Sequence, residues 1–526
     1  MIPWEFLLEN SPALAVAIPL LGAFAIPLIG RFSRRAMLIW VILSLILTEL
    51  MAIIIVYMVN AYGIQVYVFG ASSPDTAIPP DSGGIPVRII FTVDGMSAFT
   101  AVVSATLGLV VGIYSTASEK YRGAQEKFFA LLLLLVVGMM GMALTGDMFN
   151  FFVFLEINSL AAAALVSYHI HGGRAVEAAF KYAIISSIGA LMILFAIGIL
   201  YGEYDALNMA MIAERMRETG FSTMDMIAMT LILVTLAMKC GAVPMHYWVP
   251  DGYGEAPGGT SALLVVASQA SLYGLFRMSF TVFGLAANMH TLGWFLIILG
   301  ILSMFIGVTM AFLQHDIKRL MAYHAVSQTG YMLLGVGVGL ATMGTAAFNQ
   351  YGLYAMEGGI FHIINHALYK GLLFLTAGAV IYRVGTSDLN RMGGLAHSMK
   401  FTAVFFLIGA FSIAGIPPFN GFASKLMIYE SVYQLNPILA VVAAVVSMLT
   451  LASFLKVFHA AFLGPRIHNV KEVPGAMLVP MAVLAFLIVL FGIFPNIAIQ
   501  YLVSPAAHAL ANPVGYLSRV LGGGVP

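Results

Sequence analysis

Apolar stretches of about 18 residues or more recur along almost the whole chain. At 1.5 Å per residue each is long enough, given some tilt, to cross a ~30 Å hydrocarbon core. A water-soluble fold could not bury so many of them. Its surface could not be covered either, because charged residues make up only 9% of 526 residues while apolar ones make up 61%; ordinary globular domains carry roughly 25% charged residues. The chain therefore reads as an all-α polytopic membrane protein. Its formal net charge of +1 offers no basic surface for nucleic acid. A single cysteine, Cys240, excludes an intrachain disulfide and an iron–sulfur cluster built by this chain alone. No CxxC pair, Gly-rich phosphate loop or nucleotide fingerprint is present, so no catalytic centre or bound cofactor is expected.

Fourteen membrane segments are expected, near 12–30, 36–59, 94–116, 128–145, 147–168, 175–201, 225–249, 261–283, 291–313, 318–340, 359–382, 401–433, 438–463 and 477–495. The span 401–433 is too long for one straight crossing, and Gly415-Ile416-Pro417-Pro418-Phe419-Asn420-Gly421 should break it, since each proline removes a backbone donor. A helix broken at mid-membrane depth has freed carbonyls to satisfy and so tends to line a cavity. Outside the membrane we expect a hairpin within 60–93, seeded by Val66-Tyr67-Val68-Phe69, a short amphipathic helix within 205–222, and a surface-lying tail from Asn496. The start is acidic (Glu5, Glu9), which does not fit a cleavable signal peptide. With the N-terminus outside, fourteen Lys and Arg fall in inner loops, Lys120 and Arg122 among them, against five in outer connections, which are Arg88, Arg215, Arg217, Arg277 and Arg519. The positive-inside rule then puts both termini outside, although the inner loop 250–260 carries no cation.

Several ionisable residues sit inside these segments. A charge at the bilayer centre costs about 2.5–3.5 kcal/mol on insertion scales, so it needs a compensating role. Glu156, Lys239 and Lys425 are deep, with no opposite charge within one helical turn, and we read them as functional. His362, His366 and Lys370 follow one another at i, i+4 and i+8 along one helix face. Lys181 and Lys456 lie nearer helix ends, where reaching to the inner headgroups is an equal alternative, and His459 lies beside Lys456. Arg277 and Glu430 read as plain interface residues, and Glu49 as structural. The His362/His366 spacing suits a metal pair, but no nearby carboxylate or cysteine completes a site, so neither metal nor haem is expected. In low dielectric a lysine's charged form is disfavoured, and a nearby carboxylate restores it. Moving that carboxylate by a short distance switches the lysine between holding and releasing a proton. A line of Lys, His and Glu bridged by water is thus a proton relay with adjustable steps.

Lys239-Cys-Gly-Ala-Val-Pro-Met-His-Tyr-Trp-Val-Pro-Asp-Gly-Tyr-Gly-Glu-Ala-Pro257 resembles the signature of the proton-conducting, antiporter-like subunits of respiratory complex I. Mrp-type sodium/proton antiporters and membrane-bound hydrogenase complexes share those subunits. Further matches are Asp316-Ile-Lys-Arg-Leu-Met-Ala-Tyr323, Ser327-Gln-Thr-Gly-Tyr331, Phe361-His-Ile-Ile-Asn-His-Ala-Leu-Tyr-Lys370 and Gly415-Ile-Pro-Pro-Phe-Asn-Gly-Phe-Ala-Ser-Lys425. The resemblance covers nearly the whole chain, most clearly residues 90–465.

It implies a fold of fourteen helices in a single membrane domain. Two inverted five-helix repeats, helices 4–8 at 125–283 and helices 9–13 at 290–463, would be preceded by helices 1–3 and the outer hairpin at 1–124 and followed by helix 14 and the tail at 464–526. Helices 7 and 12 would be broken, at Pro244 and at Pro417-Pro418, with Lys239 and Lys425 at equivalent repeat positions. The resemblance further implies proton half-channels joined by a polar axis. Glu156 and Lys239 would form the controlling pair, with His246 near the inner end of helix 7, His362, His366 and Lys370 on the axis, and Lys425 as the terminal site toward the outside. Two departures stand out. Many relatives have a lysine where this chain has Gln269 and a histidine where it has Gln328. Glutamine binds water but does not titrate. Either hydrated Ser268, Gln269 and Gln328, with Lys181 as a further possible relay, pass protons through water, or His324 substitutes, or this copy conducts poorly. The implied function is proton or sodium translocation within a multisubunit membrane redox complex of hydrogenase or NADH/ferredoxin oxidoreductase type, in a prokaryotic plasma membrane. Iron–sulfur or metal redox centres would belong to partner subunits, alongside other antiporter-like and small Mrp-type subunits. The alternatives are an Mrp-type Na⁺/H⁺ antiporter subunit driven by an ion gradient, and a scaffold subunit that conducts nothing.

Overall fold

The computed structural model describes residues 4–69, 89–119, 125–168 and 173–522. The turn of the expected hairpin and the cations Arg88, Lys120 and Arg122 lie outside the described residues. In chain order the elements are α1 (Trp4–Phe32), α2 (Arg34–Tyr62), β1 (Gln65–Val68), β2 (Ile90–Val93), α3 (Gly95–Ser118), α4 (Gln125–Leu144), α5 (Met148–Val166), α6 (Gly173–Tyr204), α7 (Met209–Thr219), α8 (Thr223–Lys239) and α9 (Trp248–Glu255). There follow α10 (Gly258–Arg277), α11 (Met289–Phe312), α12 (Ile317–Thr342), α13 (Leu353–Val384), α14 (Lys400–Ala414), α15 (Asn420–Leu435), α16 (Pro437–Phe462), α17 (Gly475–Ile493), α18 (Pro495–Ala498), α19 (Ser504–Ala511) and α20 (Pro513–Leu521).

Among the described residues, eleven helices are long and apolar enough to cross a membrane: α1 to α6, α10 with its π-helical extension, α11, α13 with the π turn before it, α16 and α17. The other apolar stretches are unlike these for visible reasons. α8 has only 17 residues, α12 carries His324, Ser327, Gln328 and Thr329 along its length, and α14 and α15 are two halves of one broken rod. Aspartates start several helices, with Asp94, Asp147 and Asp316 accepting from the orphan first-turn N–H groups of α3, α5 and α12. α10, α12 and most of α13 are buried nearly end to end. α6, α16 and α17 instead expose Leu191, Phe195, Met448 and Phe486 outward. A helix apolar on all sides with one such bare face fits a boundary with lipid.

The two breaks are built alike. After α8, Gly241 turns with φ +79 and the Val243–Pro244 bond is cis; after α14, Gly415 turns with φ +77 and Pro417–Pro418 is cis. The lysines differ in chain order. Lys239 is the last residue of α8, before its break, whereas Lys425 lies in α15, after its break. The Lys425 ammonium nevertheless reaches back 2.7 Å to the carbonyl of Ile413, in the last turn of α14. Both cations thus end at the C-terminus of the first half-helix, where unsatisfied carbonyls and the helix dipole favour positive charge.

At one end of the helices, β1 and β2 pair antiparallel with Gln65 opposite Val93 and Val68 opposite Ile90, as the β-forming run predicted. α7 forms within the stretch expected to be helical and buries Met209, Ile212 and Met216. The tail does not simply lie on the surface: Tyr516, Leu517 and Val520 of α20 are buried with Val68, Ile90, Ala210 and Ala213. Arg277 is likewise no plain interface residue. It is 1% exposed, pairs with Asp94 at 2.6 Å, and packs its guanidinium over the rings of Tyr273 and Tyr516. Its segment runs on through the π turn Met278–Val282, so Arg277 lies inside the helix and the tail covers it. Glu430 is exposed, as expected, 3.5 Å from the Tyr354 hydroxyl.

Candidate functional site

Lys239 is 5% exposed, and its ammonium donates to the Ser159 hydroxyl at 2.5 Å. Ser159 sits one turn after Glu156 on α5, which brings the half-buried carboxylate to the same face. The ammonium is held by serine and not by the carboxylate; no Glu156–Lys239 ion pair forms among the described residues. Trp248 steadies the end of α8 by donating from Nε1 to Met238 O at 2.9 Å, and Ser303 accepts from Val243 N at 2.9 Å across the break. His246 is half-buried beyond the break, its ring 6.4 Å from that of Tyr323 and its Nδ1 without a protein partner.

Lys181 lies apart from this interior. It is about half exposed and pairs with Glu177 at 2.7 Å and Asp251 at 3.2 Å, on the rim of a cleft of about 430 Å³ lined also by Ile184, Ile185, Tyr247 and Trp248. Asp251 binds Arg319 as well, at 2.8 Å. Lys456 donates to the carbonyls of Phe312 and Gln314, both at 2.9 Å, and so caps the end of α11. Glu49 accepts from Thr106 at 2.9 Å, between α2 and α3.

The middle of the molecule holds a polar line, hydrogen-bonded from Gln269 to His366 and again from Tyr369 to Ser424. Gln269 on α10 meets His366 Nδ1 at 2.7 Å and donates to Ile363 O at 3.0 Å. His366 lies edge-on to Tyr369, with ring centres 5.6 Å apart. The Tyr369 hydroxyl meets His362 Nε2 at 3.1 Å and Gln328 Oε1 at 3.3 Å, and Gln328 Oε1 also meets His362 Nε2 at 3.2 Å. From His362 the line passes to the Ser424 hydroxyl at 2.9 Å, next in the chain to Lys425. Lys425 donates to Ser447 at 2.9 Å and lies 4.7 Å from the centre of the Tyr331 ring. Lys370, fully buried, donates to Met321 O at 2.5 Å between the rings of Phe374 and Phe454. His324 is close by but bonds to nothing in the protein: both its ring nitrogens are buried and unpartnered, and its ring packs 4.9 Å from Phe454. Ser268 is turned back onto Val265 O at 2.8 Å.

Sequence reasoning missed Ser159, Tyr369, Ser424 and Ser447. Two of them had a signal in the spacing: Ser159 lies at i+3 from Glu156 and Tyr369 at i+7 from His362, each on the face already singled out. Further buried polar atoms lack a protein partner along the same line, namely Gln269 Oε1, Gln328 Nε2, His366 Nε2, Asn365 Oδ1 and Asn420 Nδ2. Leaving such groups dry costs roughly 1–3 kcal/mol each by mutational measures, so small polar molecules, above all water, are their natural partners. Among the described residues no three His, Cys, Asp or Glu side chains gather where a metal ion could be held.

Two broken helices, each holding a buried ammonium at its break, and a histidine-lined polar axis define a polytopic membrane protein with a polar interior. The model of the NADH:quinone oxidoreductase/Mrp antiporter transmembrane family matches residues 145–450, and the chain belongs to that family. It is 31% identical over 524 residues to a large Na(+)/H(+) antiporter component of Alkalihalophilus pseudofirmus, covering 95% of this chain and 63% of that longer protein. To the N component of NADH-quinone oxidoreductase from Desulforudis audaxviator it is 31% identical over 514 residues, 92% of this chain and 96% of the relative. A chain of the membrane-bound sulfane sulfur reductase, an archaeal respiratory membrane complex, superposes with a TM-score of 0.86 at 26% identity, covering 97% and 99% of the two chains.

Proposed function

We propose that this chain is an ion-translocating, antiporter-like subunit of a multisubunit membrane complex, carrying protons or sodium ions along the line from Lys239 to Lys425. The observation that carries the reading is the set of three ammonium groups, Lys239, Lys370 and Lys425, each at most 5% exposed and each held by neutral oxygens with no carboxylate in contact. A buried lysine without a counter-ion is the side chain most readily switched between charged and neutral by a small movement nearby. Glu156, one turn from the serine that holds Lys239, is the carboxylate whose approach or withdrawal sets that switch. His366, Tyr369, His362 and Ser424 would pass the charge to Lys425 through water that meets their free polar atoms and is held by Gln269 and Gln328. Glutamine at 269 and 328 is no obstacle on this reading, because each already holds a histidine.

In the membrane all fourteen apolar segments would cross, with 125–283 and 290–463 as inverted repeats between 1–124 and 464–526 and with both termini outside. The driving force would come from partner subunits carrying the redox centres. The relatives named as Na⁺/H⁺ antiporter subunits favour a second reading, in which an existing ion gradient drives the same path. Subunits that co-purify with the chain decide between these. The path itself is tested by reconstituting the complex in proteoliposomes. Lys239→Ala and Glu156→Ala should each lower coupled ion movement at least tenfold while the subunits still co-purify. Normal ion movement by either variant rejects the assigned roles.

A further inference from the structure

We propose a second polar route, a seam between α3 and α10 that leads from Gln269 to the hairpin end of the molecule and is closed there by Arg277, Asp94 and Tyr516. It rests on reading the Gln269–His366 line as part of an ion path. α3 presents Ser97, Thr100 and Ser104 at i, i+3 and i+7, and α10 presents Gln269, Tyr273 and Arg277 at i, i+4 and i+8, so each helix carries one polar row. The rows meet. Ser97 Oγ and the Tyr273 hydroxyl are 3.1 Å apart, and Arg277 Nε lies 3.3 Å from that hydroxyl.

Deeper in, the helices leave a chamber of about 10 Å³, about enough for one water molecule, whose polar lining is Thr100, Ser104 and Gln269 and whose remaining walls are apolar, Val103, Val266 and Ile363 among them. Ser104 Oγ and Gln269 Oε1 line this chamber, both are buried, and neither has a protein partner. Gln269 spends its amide nitrogen on His366 and Ile363, so its oxygen is the group left for the chamber. A water there bridges Ser104 to the axis, because it can donate to Gln269 Oε1 and accept from, or donate to, the Ser104 hydroxyl. Passage along the seam is by hopping between waters and hydroxyls, each taking a proton on one lone pair and giving up another, so none keeps a charge; Gln269 holds the chamber water by its oxygen and carries no proton itself.

The route ends against a fixed positive charge. Arg277 does not deprotonate, and its guanidinium, held by Asp94 at 2.6 Å and by the Tyr516 ring at 5.0 Å, repels an arriving proton. Among the described residues, Tyr516 brings a distant part of the chain against Arg277, so movement of α20 would uncover Arg277, still paired with Asp94, and open the seam.

The whole complex in proteoliposomes tests this. The sole cysteine of this chain, Cys240, is buried, so modification of Ser104→Cys is read on this chain after the subunits are separated. A small cationic thiosulfonate added on the hairpin side should modify Ser104→Cys at least tenfold faster when Tyr516→Leu is also present. Equal rates, or modification from the opposite side alone, overturn the proposal. Tyr516→Leu should also raise passive proton leak several-fold, and adding Ser104→Val should return it to the starting value. A leak that Ser104→Val leaves unchanged runs elsewhere, through a loosened protein, and also overturns the proposal. Loss of coupled movement in Lys239→Ala without any Tyr516-dependent modification removes the seam alone. Normal movement in Lys239→Ala with a Tyr516-dependent leak removes the main path alone.

Discussion

Arg277 and Asp94 hold opposite charges 2.6 Å apart with almost no exposure. Removing one leaves the other buried and uncompensated, which costs about 3–5 kcal/mol, whereas replacing both by apolar side chains is often close to neutral. Arg277→Met is therefore expected to lower the melting temperature of the purified complex clearly, and Arg277→Met with Asp94→Leu to regain most of the loss. Equal melting of the single variant and the unchanged protein, followed by calorimetry or intrinsic fluorescence, would show that the pair does not hold the tail. The same residue marks a limit of sequence reading. An arginine near the end of an apolar run reads as touching headgroups, whereas the π turn that prolongs its helix, the pair with Asp94 and the packing of Tyr516 from the far end of the chain make Arg277 interior. Glu156, Lys239 and Lys425 were legible because a charge in an apolar run is costly wherever it faces. Ser159, Tyr369 and Ser424 were not. Hydroxyls are common in such helices, and their role depends on which neighbouring helix they meet.

At the scale of elements, the Pro417-Pro418 break was legible from local chemistry, since two missing donors and flanking glycines admit no continuous helix. The break after Lys239 has one proline and emerged from its likeness to a known motif. That both breaks open on a glycine of positive φ, and that both ammonium groups end at the preceding helix terminus, depends on backbone geometry that spacing does not encode. Gly415 can be tested for a role beyond the turn. A side chain at φ +77 costs about 1–2 kcal/mol, and a Cβ there would also lie 2.9 Å from Lys425 Cδ. Gly464 has φ +83 with nothing within 4 Å of such a Cβ, so it carries the strain without the collision. Gly415→Ala should thus displace Lys425 and cut ion movement several-fold, while Gly464→Ala destabilises by a similar amount and leaves the movement intact. Equal ion movement in the two variants, measured in the same vesicles, would detach Gly415 from the site.

For the whole molecule, the two ends of the helices differ in kind, and that difference fixes a sidedness to be measured. One end is capped by β1, β2, α7 and α20, and the start of α1 belongs to it, because Asn10 Oδ1 accepts from the Tyr67 hydroxyl at 3.0 Å. The other end carries the cation-bearing loops, with Arg319 on Asp251, Arg383 on the Glu472 carbonyl and Arg391 largely exposed. Turning the molecule over would place the fourteen cations expected in inner loops outside and leave four inside, Arg277 being interior to its helix, against the insertion bias that retains Lys and Arg in the cytoplasm. In the orientation with the termini outside, Lys181, Asp251 and the cleft beside Trp248 would face inward, and the closed end of the seam at Arg277 outward. Glu9 and Arg391 are exposed at the two ends, and the one native cysteine is buried, so single cysteines at these positions report the orientation directly. A membrane-impermeant maleimide should modify Glu9→Cys in intact cells and Arg391→Cys only after permeabilisation. The opposite pattern would invert the assignment of inner and outer half-paths, so that Lys239 rather than Lys425 would release ions to the outside.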